Sequence, residues 1–181
     1  MNHGNDLFNT GLYQEAFDAY SQANQSQPDD DGILYKLGTA LQMLGKNKEA
    51  IDSFKKAIDI NPKFAKAWYN LGIALDESGE NKEAIDSFKE AIEFQPYFAC
   101  AQYRLGIALD ESGKNKEALA SFKKATEIKS DFAQAQNKED AMRKKLKRDD
   151  EAPESYDQAI RFDSNYQPAI KNRKELLETL E

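Results

Sequence analysis

The chain has 181 residues, with 32 acidic against 25 basic and a net charge of −7; this balance argues against a dedicated nucleic-acid binder, whose affinity needs clustered excess Lys and Arg. One cysteine, Cys100, and one histidine, His3, exclude a disulfide framework and a Cys-based zinc site, and leave no set for a Ser-His-Asp triad or a His metal centre. No apolar run approaches the roughly 18 residues that a membrane span needs, and the first ten residues lack the basic-then-apolar order of a signal peptide, so a cytoplasmic setting is expected.

Residues 1–30 read as a shortened repeat. Gly4 and Leu7 match Gly38 and Leu41, and Ala16, Tyr20 and Ala23 form a second apolar stripe ahead of Pro28. A first helix cut short in this way suits an N-terminal truncation better than a natural start. Residues 31–64, 65–98 and 99–132 are three full units. Laid on each other at a shift of 34, residues 64–96 and 98–130 agree at 22 of 33 positions. Within the second unit, Ala67, Trp68, Leu71, Ala74 and Leu75 fall at helical spacing. Gly79 ends that helix, because glycine accepts the left-handed cap cheaply. A second stripe, Ala84, Ile85, Phe88, Ala91 and Ile92, runs up to Pro96, which lacks the amide donor a helix needs. Gly72 and Ala84 are small where the two helices must approach closely. Each unit is a helix hairpin too small to bury its own face, so stacked neighbours must bury it.

Residues 133–166 read as a degenerate repeat. Glu139-Asp140 stands where Leu-Gly is expected, Arg143 replaces a large apolar residue, and Ser130 and Ser164 stand in the proline column. Its first helix is expected to pack loosely or lie exposed. Its second helix would carry Ala152, Tyr156, Ala159 and Ile160, with Pro153 in the first turn. Residues 167–181, with Ala169, Ile170, Leu176, Leu177 and Leu180, read as an amphipathic capping helix.

The columns resemble the tetratricopeptide repeat (TPR) family. The second unit carries its signature almost unbroken at Trp68, Leu71-Gly72, Ala84, Phe88 and Pro96, although Leu41, Leu75 and Leu109 replace the usual tyrosine after the Leu-Gly pair. The resemblance implies an all-α, right-handed α-solenoid of four to five hairpins with a C-terminal cap. It also implies a concave groove lined by the first helix of each unit, where partners bind. Carried over residue by residue, the groove columns are Tyr35, Tyr69 and Tyr103; Lys36, Asn70 and Arg104; Thr39, Ile73 and Ile107; Gln42, Asp76 and Asp110; and Met43, Glu77 and Glu111, preceded by Gly32, Lys66 and Cys100.

The tyrosine column reads as an aromatic ladder of the kind enriched at binding hot spots; the alternative is packing against the neighbouring helix. Lys36, Asn70 and Arg104 add donors suited to a carboxylate or a backbone carbonyl. The acids on the opposite edge either face a ligand or merely solvate helix ends. The family's five-residue carboxylate clamp for chaperone tails is poorly matched. One frame keeps only Asn70 and Arg104, the other only Asn5 and Lys66. The basic run from Arg143 to Arg148 reads as a solvated helix end blunted by Asp149, Asp150 and Glu151, and Cys100 as a small apolar filler without an activated setting.

The expected function is therefore a non-catalytic adaptor or scaffold that binds a protein or peptide segment, with no cofactor, no metal, no nucleic acid and no membrane span. The alternative is a homo-oligomer. Text such as RLGIALDESGKNKEALASFK is also similar to TPR scaffolds that coat magnetosome membranes, mostly through generic columns of the repeat; peripheral membrane association through a partner would follow from that likeness.

Overall fold

The computed structural model describes the backbone of residues 2–162, 164–165 and 167–178, with side chains at all of these except 2, 148–156, 158–159, 162, 169, 172 and 175–178. The described residues are helical, without strands. The order is α1 (Asn2–Asn9), α2 (Tyr13–Ser26), α3 (Asp31–Met43), α4 (Asn47–Ile60), α5 (Ala65–Glu77), α6 (Asn81–Phe94), α7 (Ala99–Glu111), α8 (Asn115–Ile128), α9 (Ala133–Phe162) and α10 (Gln167–Glu178). Each helix packs on the next along the chain, as a solenoid requires.

Two glycine columns close the hairpins. Gly11, Gly45, Gly79 and Gly113 have φ of 82°, 72°, 80° and 75°, the left-handed geometry that lets the chain leave one helix and reverse. In the other column, Gly38, Gly72 and Gly106 lie under the rings of Phe54, Phe88 and Phe122. Those three rings are the largest of the fully buried side chains among the described residues. Ala50, Ala84 and Ala118, also fully buried, let the second helix of each hairpin come close. The core is continuous from Leu34 to Met142, since one unit's second helix packs against the next unit's first. A smaller cluster around Ala16, Tyr20 and Ala40 seats α1 and α2 on α3.

The hairpin expected within 133–166 does not form. α9 runs unbroken for 30 residues, so the described residues form four closed hairpins, α1–α2 to α7–α8, followed by two further helices. Both glycine columns explain the difference. Position 147, in register with Gly113, is lysine, which resists positive φ. Position 140, in register with Gly106, is aspartate, so the Cβ-free position that lets a ring of the second helix lie close in the other units is lost here. The start of α9 still takes a first-helix place. Ala135, Glu139 and Met142 are buried against the preceding unit, while most of its other described side chains are exposed, the second of the two outcomes expected for it.

Glu139, in the leucine column, is buried too. It accepts hydrogen bonds from Arg143 and from the Thr126 hydroxyl at 2.8 Å, which hold its charge in place of the missing apolar contact. α10 lies against α9, joined by Arg173 and Asp157. Of the apolar stripe expected in the cap, Ile170 is half-buried. The side chains of Ala169, Leu176 and Leu177, and residue Leu180 altogether, lie outside the described residues, as do the side chains of Ala152, Pro153, Tyr156 and Ala159.

Candidate peptide-binding groove

The first helices α3, α5 and α7 touch one another directly in succession, in addition to packing on their own second helices. Their side chains therefore form one continuous face.

The tyrosines are not free rungs. Each ring is half-buried between two phenylalanines, one from its own unit's second helix and one just ahead of the next unit's first helix. Tyr35 lies 6.0 Å from Phe54 and 4.9 Å from Phe64. Tyr69 lies 6.1 Å from Phe88 and 4.7 Å from Phe98. Tyr103 lies 5.9 Å from Phe122 and 5.0 Å from Phe132. The packing alternative therefore holds in place of a free ladder, because the rings join successive units. The recurrence of Phe64, Phe98 and Phe132 at intervals of 34 was the overlooked signal.

The donor column meets the hydroxyls of Tyr35 and Tyr69. Asn70 Nδ2 donates to the Tyr35 hydroxyl at 3.3 Å and reaches Thr39 Oγ1 at 3.5 Å. Arg104 lies close enough to Tyr69 in the same register to favour its ionised form. Burial pushes both phenols above their usual range. At Tyr35, Thr39 and Asn70 oppose that rise; at Tyr69, Cys100 adds to it and Arg104 opposes it. Asn70 and Arg104 are thus partly committed to cross-repeat bonds rather than wholly open to a ligand. Cys100 is exposed and lies close enough to Tyr69 to affect it; it fills no gap, contrary to the expectation.

The middle of the face carries Thr39, Ile73 and Ile107, all half-exposed. Lys36 and Gln42 are half-exposed and Lys66 exposed, and Met43 shows 49% of its surface. At the far edge stand the half-exposed Asp76 and Asp110 and the exposed Glu77 and Glu111. Lys145 of α9 donates to Asp110 at 2.9 Å. The Arg143–Glu139 pair likewise engages a cation of the basic run within the chain. The side chain of Arg148 lies outside the described residues. No group of three or more His, Cys, Asp or Glu side chains placed to hold a metal occurs among the described residues. No helix among them is long and apolar enough to cross a membrane.

This arrangement of stacked hairpins and a shared first-helix face defines a helical-repeat interaction protein. The chain is a tetratricopeptide repeat protein: tetratricopeptide repeat models match residues 65–98 and 101–132, and a TPR repeat model matches residues 43–79. Among solved structures, it is similar to the crystal structure of MamA at 26% identity, covering 99% of this chain and 95% of that one with a TM-score of 0.74. MamA 41-end from Desulfovibrio magneticus RS-1 is similar at 20% identity, covering 98% of this chain and 91% of that one with a TM-score of 0.72. The crystal structure of YrrB, titled a TPR protein with an unusual peptide-binding site, is similar at 24% identity, covering 96% of this chain and 90% of that one with a TM-score of 0.71. A search of curated protein sequences returned no match.

Proposed function

We propose that this chain is a non-catalytic adaptor that binds an extended or helical protein segment along the face of α3, α5, α7 and the start of α9. The observation that carries the reading is the half-exposed row of Thr39, Ile73 and Ile107, set between tyrosine hydroxyls and an acidic edge. That row is an apolar floor with polar groups on both sides, the composition of an interface core with its rim. Tyr35, Tyr69 and Tyr103 hold the floor rigid by packing on the phenylalanines. Lys36, Lys66, Asn70 and Arg104 supply donors along one side, and Met43 and Cys100 add exposed soft surface at the ends.

Affinity capture with the full chain tests the reading. Tyr69→Ala would disturb the repeat joint, so the informative variant is Ile73→Arg, which adds charge to the floor at a half-exposed position. We expect wild type to retain a distinct protein that Ile73→Arg loses; because Ile73 packs partly against the core, a fall in Tm of roughly 2–4 °C is expected as well, with far-UV circular dichroism still showing a helical fold. Retention by both would refute the groove. Recovery of further copies of the chain alone, with mass rising with concentration in light scattering, would point instead to a self-assembling scaffold.

A further inference from the structure

The face pairs residues across repeats at a fixed interval. Asn70 meets Tyr35, and Lys145 meets Asp110, each 35 residues away; Arg104 meets Tyr69 at the same interval. Moving the Lys145–Asp110 pair back by one 34-residue repeat gives Glu111 and Asp76. At this step the register sets a carboxylate where the next step has an ammonium, with Glu77 beside it. Neither Asp76 nor Glu111 forms an ion pair or side-chain hydrogen bond with a described residue.

The backbone deepens the negative field. Asp76 and Glu77 end α5, and Asp110 and Glu111 end α7; neither helix has a basic residue in its last turn. A helix C-terminus carries partial negative charge and favours cations. Two neighbouring C-termini here carry four carboxylates, and Lys145 engages Asp110. This edge adjoins the apolar row of Ile73 and Ile107.

We propose that the groove's occupant is a peptide segment bearing a lysine or arginine next to apolar residues, with the cation seated between Asp76 and Glu111. This rests on the groove reading above and narrows it. Lys145 on Asp110 is the chain's own version of the contact, one repeat further on. A ligand's cation on this edge would complement its carboxylates and the two helix C-termini. The same logic disfavours acidic tails as occupants, in agreement with the poorly matched carboxylate clamp.

The test pans a phage-displayed library of random 12-residue peptides on the full chain, then measures the most enriched peptide by fluorescence polarisation. We expect enriched peptides to carry Lys or Arg flanked by apolar residues. Asp76→Asn with Glu111→Gln should weaken binding about tenfold, within the range for a charge-assisted contact. Glu111→Lys should recreate the Lys145–Asp110 pair internally. It should therefore abolish binding of the basic peptide and raise the Tm by about 1–3 °C, as a partly exposed ion pair allows. Peptides that lose binding to Ile73→Arg but lack basic residues, or ignore the double neutralisation, would leave the groove standing and overturn the cation seat. Peptides indifferent to Ile73→Arg, or no enrichment over a protein-free surface, would overturn both.

Discussion

Gly72→Ala tests whether the close approach of α5 and α6 is what the fold depends on. A Cβ at residue 72 would lie 2.6 Å from Phe88 Cε1, 2.7 Å from Cδ1 and 3.0 Å from Cζ. Carbon atoms settle near 3.5–4.0 Å, so the ring or the helix must yield by about 1 Å. Phe88 is fully buried, and Tyr69 packs against it, so the ring has little room to tilt. Overpacking of this kind costs about 1–3 kcal/mol. Against it stands a gain of about 0.5–1 kcal/mol from replacing glycine inside a helix. The net expectation is a loss of about 1–2 kcal/mol, or a fall in Tm of roughly 2–8 °C for a chain of this size.

Thermal unfolding followed by far-UV circular dichroism measures it. Phe88→Leu, alone and combined with Gly72→Ala, completes a double-mutant cycle. The combined variant should be no less stable than Phe88→Leu by more than about 0.5 kcal/mol, because the smaller side chain leaves room for the new methyl. A Gly72→Ala variant that melts at or above wild type would refute the argument, because the ring would then give way freely and the glycine column would not set the hairpin angle.

Other expectations follow from the same joints. Tyr35 and Tyr69 have raised pKa values in the folded state, chiefly from burial. Their contribution to stability is therefore full below the unfolded phenol pKa of about 10 and is lost as pH rises through the higher folded values. Tyr69→Phe should flatten the fall in Tm above that pH, and an equal fall in the variant would refute the assignment. Glu139→Leu restores the leucine column of α9 and removes a buried carboxylate; we expect a gain of about 1 kcal/mol by urea unfolding, whereas a loss would show that the Arg143 and Thr126 contacts outweigh the apolar alternative. Restoring both glycines, with Asp140→Gly and Lys147→Gly, should permit the reversal that α9 lacks, and faster amide exchange around residues 145–149 would report it. Exchange unchanged there would refute the two-column explanation.

Much of this protein was legible in the sequence because a repeat states its constraints several times. The leucine, alanine and glycine columns recur at a fixed interval, so helical period, hairpin turns and buried face could each be read against copies of themselves. The candidate groove came from the resemblance to the tetratricopeptide repeat family, carried onto the same columns. What the phase alone did not show was how the face is used internally. Tyr69 could be placed on the first-helix face, but whether its ring stood in solvent or lay against Phe88 and Phe98 depends on how far neighbouring units rotate. Asn70 and Arg104 likewise read as open donors until packing brought tyrosine hydroxyls from the preceding unit within reach.

Residues 133–166 show the boundary between the two kinds of information. The sequence recorded the loss of both glycines at Asp140 and Lys147, but the surviving Ala152, Tyr156 and Ala159 still suggested a hairpin. The structure resolved that conflict in favour of one helix, because a turn needs backbone conformations that a β-carbon resists, and apolar columns beyond the turn cannot supply them. The charge pattern divides in the same way. The sequence by itself determined that acids end α5 and α7 and that a basic run follows. Only the stacking decided that Lys145 lies against Asp110 while Glu111 stands in the equivalent place beside Asp76, because pairing across repeats depends on how the helices lie beside one another.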